Sequence, residues 1–378
     1  MSAAATARAA VRPIGVVSVA QSKSVRREDH RNEVEILMPV VTEVFANIGV
    51  TKSDMGFVCS GSTDYLVGAP FSFVMALDAV GVWPPMRESH VEMDGAWALY
   101  EAWTLLQEGE IDTALVYSFG RSSPAQLDRV LALQLDPYYM APMWPDPVAL
   151  AALQAQALID AGKATEKDFA AVAARSRRDA LGNPNAQVAK DEAADELLRD
   201  DYVVAPLRRH ALPPITDAVA AVVLAAGDRA RELCERPAWI TGIDHRIETH
   251  ALGARDLSVS PSTRRAAQGA GLFDTAGGAP GSVHLDVAEL HAPFASQELI
   301  LREALGLSDS VAVNPSGGAL AANALMVAGL LRIGEAASRI MDGSAQSAVA
   351  HATSGPCLQQ NLVCALSAEP SGAAGKGA

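Results

Sequence analysis

The chain alternates short, nearly all-apolar runs with stretches of helical spacing, and it goes through that alternation twice. Ile14 to Ala20 (IGVVSVA) reads as a buried strand. Glu33 to Ile48 carries Val34, Ile36, Leu37, Val40, Val41, Val44 and Phe45 at helical spacing and stops before Gly49. Met55 to Ser60 is a second strand, broken at Gly61, and Pro70 to Val80 a second helix. An extended run led by Pro84 and Pro85 then turns into a helix through Trp97, Leu99, Tyr100, Trp103 and Leu106 that stops at Gly109. Ile111 to Phe119 and Thr216 to Ala226 return to the core. After these come strands at Trp239 to Ile247, Val283 to Leu290 and Val311 to Val313, with a helix over Ser296 to Leu305. A long small-residue helix follows from Ala319 to about Met341, then a hairpin of Ser347 to Thr353 and Leu362 to Leu366. Strands covered on both faces need continuous apolar runs, and alternation with helices puts those helices on the sheet faces, so an α/β fold is predicted. The similar order of the two halves suggests duplication.

Between them, from Gly120 to about His210, the pattern changes. Pro124, Pro137, Pro142, Pro145 and Pro147 precede amphipathic helices over Pro147 to Gly162 and Glu166 to Leu181, then a polar loop. Such an excursion from a sheet tends to carry binding surfaces. Arg175, Arg177, Arg178, Arg208, Arg209 and His210 gather there, as a basic binding patch or as a solvated helix face. Elsewhere the chain is acidic, with a net charge of -14, which argues against nucleic acid or an anionic membrane surface as partner. Its 378 residues, 49% hydrophobic and 20% charged, suffice for about two domain-sized cores. Cys59, Cys234, Cys357 and Cys364 lie far apart, with neither zinc-ligand spacing nor a disulfide framework, so reduced thiols and no metal are expected. No run approaches the roughly 18 apolar residues of a membrane span. The Ala-rich start, Met1 to Pro13, lacks a signal peptide's apolar core, and the tail from Pro370 is expected to fray. A cytoplasmic protein is the simple expectation.

The most informative polar cluster is His90-Val91-Glu92-Met93-Asp94-Gly95-Ala96-Trp97-Ala98, where a buried strand becomes a buried helix. Side chains at such an elbow point at a cleft, and the first N–H groups of the helix are open to an anion or a developing oxyanion. Asp94 can serve simply as a helix cap; a second acid, Glu92, two residues earlier argues for more. Trp97 and Trp103 read as core, and so do Cys59, Cys234 and Cys364. His90 and Tyr65 are candidates for lining the cleft.

Several stretches, taken in order, resemble the thiolase superfamily, in particular its sterol-carrier-protein-type thiolases and bacterial lipid-transfer proteins. Thr216-Asp217-Ala218 resembles the segment that closes the family's first half. Leu290-His291-Ala292-Pro293-Phe294-Ala295 is similar to its His-Asp-Cys-Phe loop, and Asn314-Pro315-Ser316-Gly317-Gly318 to its Asn-x-x-Gly-Gly turn. Gly355-Pro356-Cys357 resembles the Cys-x-Gly loop, and Asn183-Pro184-Asn185-Ala186-Gln187 also resembles this branch. The resemblance covers nearly the whole chain. It implies a duplicated five-layer αβαβα fold with an inserted loop domain: a first half over 14–119 and 211–235, a loop domain gripping coenzyme A over 120–210, and a second half over 236–368, with flexible ends at 1–13 and 369–378. It implies a homodimer through the central sheets and coenzyme A as part of the substrate, with no permanently bound cofactor. The usual chemistry does not carry over intact. Setting Gly95 on the glycine of the family's Cys-x-x-Gly elbow puts Glu92 in the nucleophile's place. Asn323-Ala324-Leu325 replaces the usual Gly-His-Pro, while His291 and Cys357 keep matching positions.

A carboxylate is a poor substitute for the thiolate of thiolysis, because the mixed anhydride it would form lies above the thioester. A retro-aldol cleavage of a 3-hydroxyacyl-CoA fits such a cleft better, since its enolate suits the fold's oxyanion holes. In that reading His291 or Glu92 is the base, and Cys357 or a water oriented by Asp94 protonates the enolate carbon. Backbone N–H groups around Cys357 to Gln359 bind the oxygen, and Asn314, Gly317, Gly318, Asn323, Arg175 and Arg178 are substrate-binding candidates. Members of the branch act on steroid or other bulky acyl-CoAs, some with an OB-fold/zinc-ribbon partner, which makes such a partner an expectation here. A non-catalytic acyl-CoA-binding scaffold, decarboxylation of a malonyl-type thioester and a conventional acyltransferase stand as alternatives.

Overall fold

In the computed structural model, which describes residues 12–81, 83–273 and 284–370, the apolar runs become one continuous sheet built from two copies of the same five-stranded arrangement. The expected flexible ends lie almost wholly outside the described residues, as does the first part of the strand expected from Val283. The strands are β1 (Ile14–Gln21), β2 (Phe57–Gly61), β3 (Glu88–Val91), β4 (Thr113–Arg121), a small separate hairpin of β5 (Tyr202–Val204) and β6 (Leu207–Arg208), β7 (Asp217–Ala226), β8 (Ala238–Ile247), β9 (Val287–Leu290), β10 (Ala312–Val313), β11 (Ser347–Ser354) and β12 (Gln360–Ser367). The large sheet runs β10-β9-β11-β12-β8-β1-β7-β4-β2-β3.

Cut between β1 and β8, this order becomes two identical halves. β3-β2-β4-β7-β1 matches β10-β9-β11-β12-β8 strand for strand, and the directions match as well. β2 is parallel to β3 and β4, with β7 antiparallel to β4 and β1. Likewise β9 is parallel to β10 and β11, with β12 antiparallel to β11 and β8. The halves join through a short pairing of Gly15 with Trp239 and Val16 with Ala238. The duplication that the rhythm suggested is therefore carried by topology.

Alternate strand residues sort the core into layers, because successive side chains point to opposite faces. On one side of the first half, Leu115, Tyr117, Phe119, Val219, Ala221 and Val223 pack under the Glu33–Ala46 and Ser72–Val80 helices. The opposite face (Ala114, Val116, Ala220, Val222, Leu224) and one face of the second half (Ala348, Ala350, Leu362, Cys364) close on the Gly95–Gln107 and Ala328–Met341 helices. The remaining face, with Leu290, Val349, Val363 and Ala365, is covered by helices Pro261–Gly269 and Ala295–Leu305 and by the excursion helices Pro147–Asp160 and Glu166–Asp179. The sequence α, β, α, β, α results. In the middle layer Leu99, Leu106, Leu330, Ile333 and Ile340 are fully buried, each such side chain contributing about 1.5–3 kcal/mol relative to exposure.

One feature departs from the predicted elements and one close helix–strand contact adds to it, and both shape the site. The long helix expected from Ala319 is two helices, Gly318–Ala321 and Ala328–Met341. Between them Ala322 is extended and Met326 has a left-handed φ of 69°. Periodicity saw through this break because Ala324, Leu325 and Val327 keep the stretch apolar. The Gly95–Gln107 helix also approaches β4 so closely that a Cβ on Gly95 would lie 2.5 Å from Ser118 Cβ and 2.9 Å from Leu330 Cδ2. Only a glycine lets the first turn of that helix wedge between β4 and its partner helix.

Candidate active site

The two central helices begin at one carboxylate. Asp94, 3% exposed, caps its own helix by accepting from Ala96 N–H at 2.9 Å. It also accepts from Gly329 N–H at 2.8 Å and Leu330 N–H at 3.0 Å, the first turn of the Ala328–Met341 helix. The break in the long predicted helix is what presents those donors. Gly95 N–H donates to Met326 O at 2.9 Å, and Ser118 Oγ donates to Gly61 O at 2.7 Å and to Met326 O, which locks the elbow to the break. Burial raises the carboxyl pKa of Asp94 against the opposing pull of those three N–H groups and of Arg332.

Asp94 lines a cavity of about 340 Å³ together with His291, Asn323, Thr353 and Cys357. His291 follows the last residue of β9, and its backbone N–H is anchored on His351 O at 3.1 Å. Its Nδ1 accepts from Thr353 N–H at 3.4 Å, which leaves Nε2 as the protonated nitrogen, donating to Asn323 Oδ1 at 3.2 Å. Burial, with His351 and Arg332 adding to it, pushes its pKa down to about 3, so the ring is neutral at physiological pH. Cys357 sits on the turn between β11 and β12, where it and Leu358 both have left-handed φ, 56° and 57°. Its thiol donates to Leu150 O at 3.3 Å. Burial pushes the thiol up to about 11, partly opposed by Arg255. Leu127, Leu131, Leu135, Ile215, Phe294 and Met326 supply an apolar wall. The cavity thus combines a buried carboxyl, a neutral imidazole with its N–H turned to an amide, and a protonated thiol. This is a set able to move protons and hold an oxyanion beside an apolar wall.

The other predicted site residues fall elsewhere. Glu92, set in the nucleophile's place by the sequence, is exposed and outside the cavity wall. Its Oε1 accepts from Thr63 Oγ1 and Asp64 N–H, both at 2.8 Å, and Oε2 lies 3.3 Å from His90 Nε2. The chain leaves the extended conformation after Val91 and bends at Glu92 and Met93, which turns the Glu92 side chain to Thr63 and Asp64 and away from the cavity. His90 bonds Ser60 Oγ at 2.9 Å and stacks on Phe73, and Tyr65 is 62% exposed. Asn314 braces the floor, accepting from Leu290 N–H at 2.6 Å and donating to Glu298 at 2.9 Å. Gly317 and Gly318 turn with φ of 93° and 61°. Gln359 is half-buried, its carbonyl accepting from Glu248 N–H. Arg175 forms a two-pronged pair with Glu298 at 2.8 and 2.6 Å and borders a separate polar hollow of about 760 Å³. Arg178 is exposed on the same helix. Thr353, Asp128 and Gln297 also line the cavity; no motif or spacing in the sequence singles them out, because strand pairing and the excursion bring them in.

No family model matches the chain. Among curated proteins, 172 residues are 29% identical to "Acetyl-CoA acetyltransferase" of Methanothermobacter thermautotrophicus, covering 41% of this chain and 44% of that protein. A stretch of 157 residues is 28% identical to "Benzoylsuccinyl-CoA thiolase subunit BbsB" of Thauera aromatica, covering 41% of this chain and 40% of that one. The chain thus spans less than half the length of these curated relatives. Solved structures agree over far more of the fold. An "Ltp2-ChsH2(DUF35) aldolase" chain superposes with a TM-score of 0.76 at 17% identity, over 94% of this chain and 98% of that one. Human mitochondrial 3-ketoacyl-CoA thiolase gives 0.73 at 15%, over 94% and 98%.

Proposed function

Taking as premise that the chain is a thiolase-superfamily protein, we propose that it breaks or makes a carbon–carbon bond beside a CoA thioester without a covalent acyl-enzyme. The substrate fitting this best is a 3-hydroxyacyl-CoA, with a bulky acyl chain such as a steroid side chain. The observation that carries the reading is the elbow itself: a buried carboxylate, Asp94, heads the central helix and shares one cavity with His291, Asn323 and Cys357. Thiolysis needs a thiolate at such a helix start. Here a thiol is present only on the opposite turn and is held protonated.

In the retro-aldol direction, Asp94 accepts the 3-hydroxyl proton; a raised pKa makes its ionised form the stronger base. The Cα–Cβ pair moves into the thioester, releasing an aldehyde or ketone and leaving an enolate. The His291 Nε2–H, now spent on Asn323, is the donor the enolate oxygen takes over, with the Asn323 amide beside it. Because Thr353 N–H occupies Nδ1 and burial disfavours the imidazolium, His291 serves as a hydrogen-bond donor rather than as the base. Cys357 gives its proton to the enolate carbon, and the proton on Asp94 returns to the thiolate. Atoms balance with no oxidant, water or resident cofactor, coenzyme A being part of the substrate. The similar solved aldolase pairs Ltp2 with ChsH2(DUF35), which supports expecting a partner subunit for this chain. Exposed Tyr65, Phe71, Met75 and Trp83 near the β3 edge support a homodimer.

The test is a panel of 3-hydroxyacyl-CoAs and 3-ketoacyl-CoAs, with and without a protein encoded by a neighbouring gene. Carbonyl product and shortened acyl-CoA are expected in equal amounts without free CoA, with kcat/KM at least 100-fold lower in Asp94→Asn and His291→Ala. Turnover that requires free CoA would restore thiolysis. Tight ester binding with no turnover under any pairing would make the chain a scaffold.

A further inference from the structure

We propose that Arg255 is a positioning residue for Cys357: its guanidinium gathers the carbonyls of the turn that bears the thiol and stands as the counter-charge when that thiol gives up its proton. The inference rests on the proton-donor role given to Cys357 above.

Arg255 donates to three successive carbonyls, Pro356 O at 3.2 Å, Cys357 O, and Leu358 O at 3.4 Å. From the other side Asn361 Nδ2 donates to Leu358 O at 2.8 Å, and Asn361 Oδ1 in turn meets His351 Nε2 at 3.0 Å. Two consecutive non-glycine residues in the left-handed region are costly and persist only where neighbours over-determine them. The guanidinium fork matches carbonyls displayed on one side of such a turn, a geometry that a lysine ammonium cannot reproduce. Among the described residues no carboxylate forms an ion pair with Arg255, so its charge is not spent on an acid. Glu248 lies nearest in electrostatic terms, and its own Oε1 accepts from Ser262 N–H. The other titratable groups around the thiol are Asp94, Asp128 and His291 on the cavity side. Arg255 is thus the positive group placed to favour a thiolate at Cys357, and the one acting opposite to burial.

Two readouts test this in Arg255→Gln and Arg255→Lys, with folding checked by circular dichroism. The first is the pH dependence of iodoacetamide alkylation at Cys357, mapped by peptide mass spectrometry. The second is exchange of the methyl protons of acetyl-CoA in D₂O, which needs only the enolate half of the reaction. Arg255→Gln is expected to shift the alkylation profile to higher pH, slowing labelling about tenfold at fixed pH for a shift of about one unit. It is expected to lower the exchange kcat at least tenfold with KM within twofold. Arg255→Lys should keep the alkylation profile close to wild type yet recover little exchange, since the charge remains and the fork is gone. Profiles and kcat within twofold of wild type in both variants would overturn the proposal. If Cys357→Ala exchanges protons normally while Arg255→Gln still shifts alkylation, the proton-donor reading fails and the hold of Arg255 on the thiol stands.

Discussion

Asp94 is the residue on which local chemistry and long-range structure meet. A lone acid two residues after Glu92 reads from sequence as an ordinary cap, and it is one. The sequence does not reveal that it caps a second helix more than 230 positions away, or that burial between the two helices raises its pKa against the pull of the N–H groups it caps. Glu92, which the elbow motif favours, is kept out of the cavity wall by the bend at Glu92 and Met93 that follows β3, a local turn that the motif does not show. His291 and Cys357 were legible because a loop motif carries each; their meeting in one cavity is visible only in three dimensions. The two buried histidines also give a pH prediction. His291 and His351 titrate near 3 and 4 in the fold and near 6.5 when unfolded. The unfolded chain therefore binds more protons below pH 6.5, and stability falls as pH drops through that window toward 4. Urea midpoints should decrease from pH 7 to pH 5, and His351→Gln should flatten that slope. A midpoint independent of pH over this range would contradict the buried neutral rings.

At the scale of elements, the central helix pair depends on shared capping. Asp94→Ala leaves three buried N–H donors without acceptors, and at about 1–2 kcal/mol each a loss of roughly 3–6 kcal/mol is expected. Asp94→Asn, whose amide oxygen keeps part of the set, should lose less. Chemical denaturation of the two variants measures the difference, and equal losses would show that the carboxylate is not a cap. Gly95→Ala should cost more than the 1–3 kcal/mol typical of overpacking, because its Cβ would meet Ser118 and Leu330 inside ordinary contact distance. The split of the predicted 319–341 helix belongs here too. Every residue of the break is compatible with a helix, and the elbow's demand for acceptors and donors at Met326, Gly329 and Leu330 overrides that propensity.

For the molecule as a whole, the duplicated order of the strands accounts for the placement of the site. Asp94, from the elbow after β3 in one half, and His291, which follows β9 in the other, reach a common cleft. The rhythm of apolar runs made the α/β class and the two halves readable; weak similarity between them hid the exact register, which pairing alone shows. The buried Arg332–Glu289 pair at 2.7 Å, joined by Ser316, ties the second half to the central layer. Arg332→Met should destabilise by about 3–5 kcal/mol by stranding Glu289, while the double variant with Glu289→Gln recovers part of that loss; no recovery would mean the charges act separately.

The claim that this cleft works through an enolate and not through an acyl-enzyme is tested most directly by intact-mass spectrometry of the protein mixed with a 3-ketoacyl-CoA. The account predicts an unmodified mass at all times, with Cys357 recovered as a free thiol. An acyl adduct that forms on Cys357 and is discharged by added coenzyme A would contradict it.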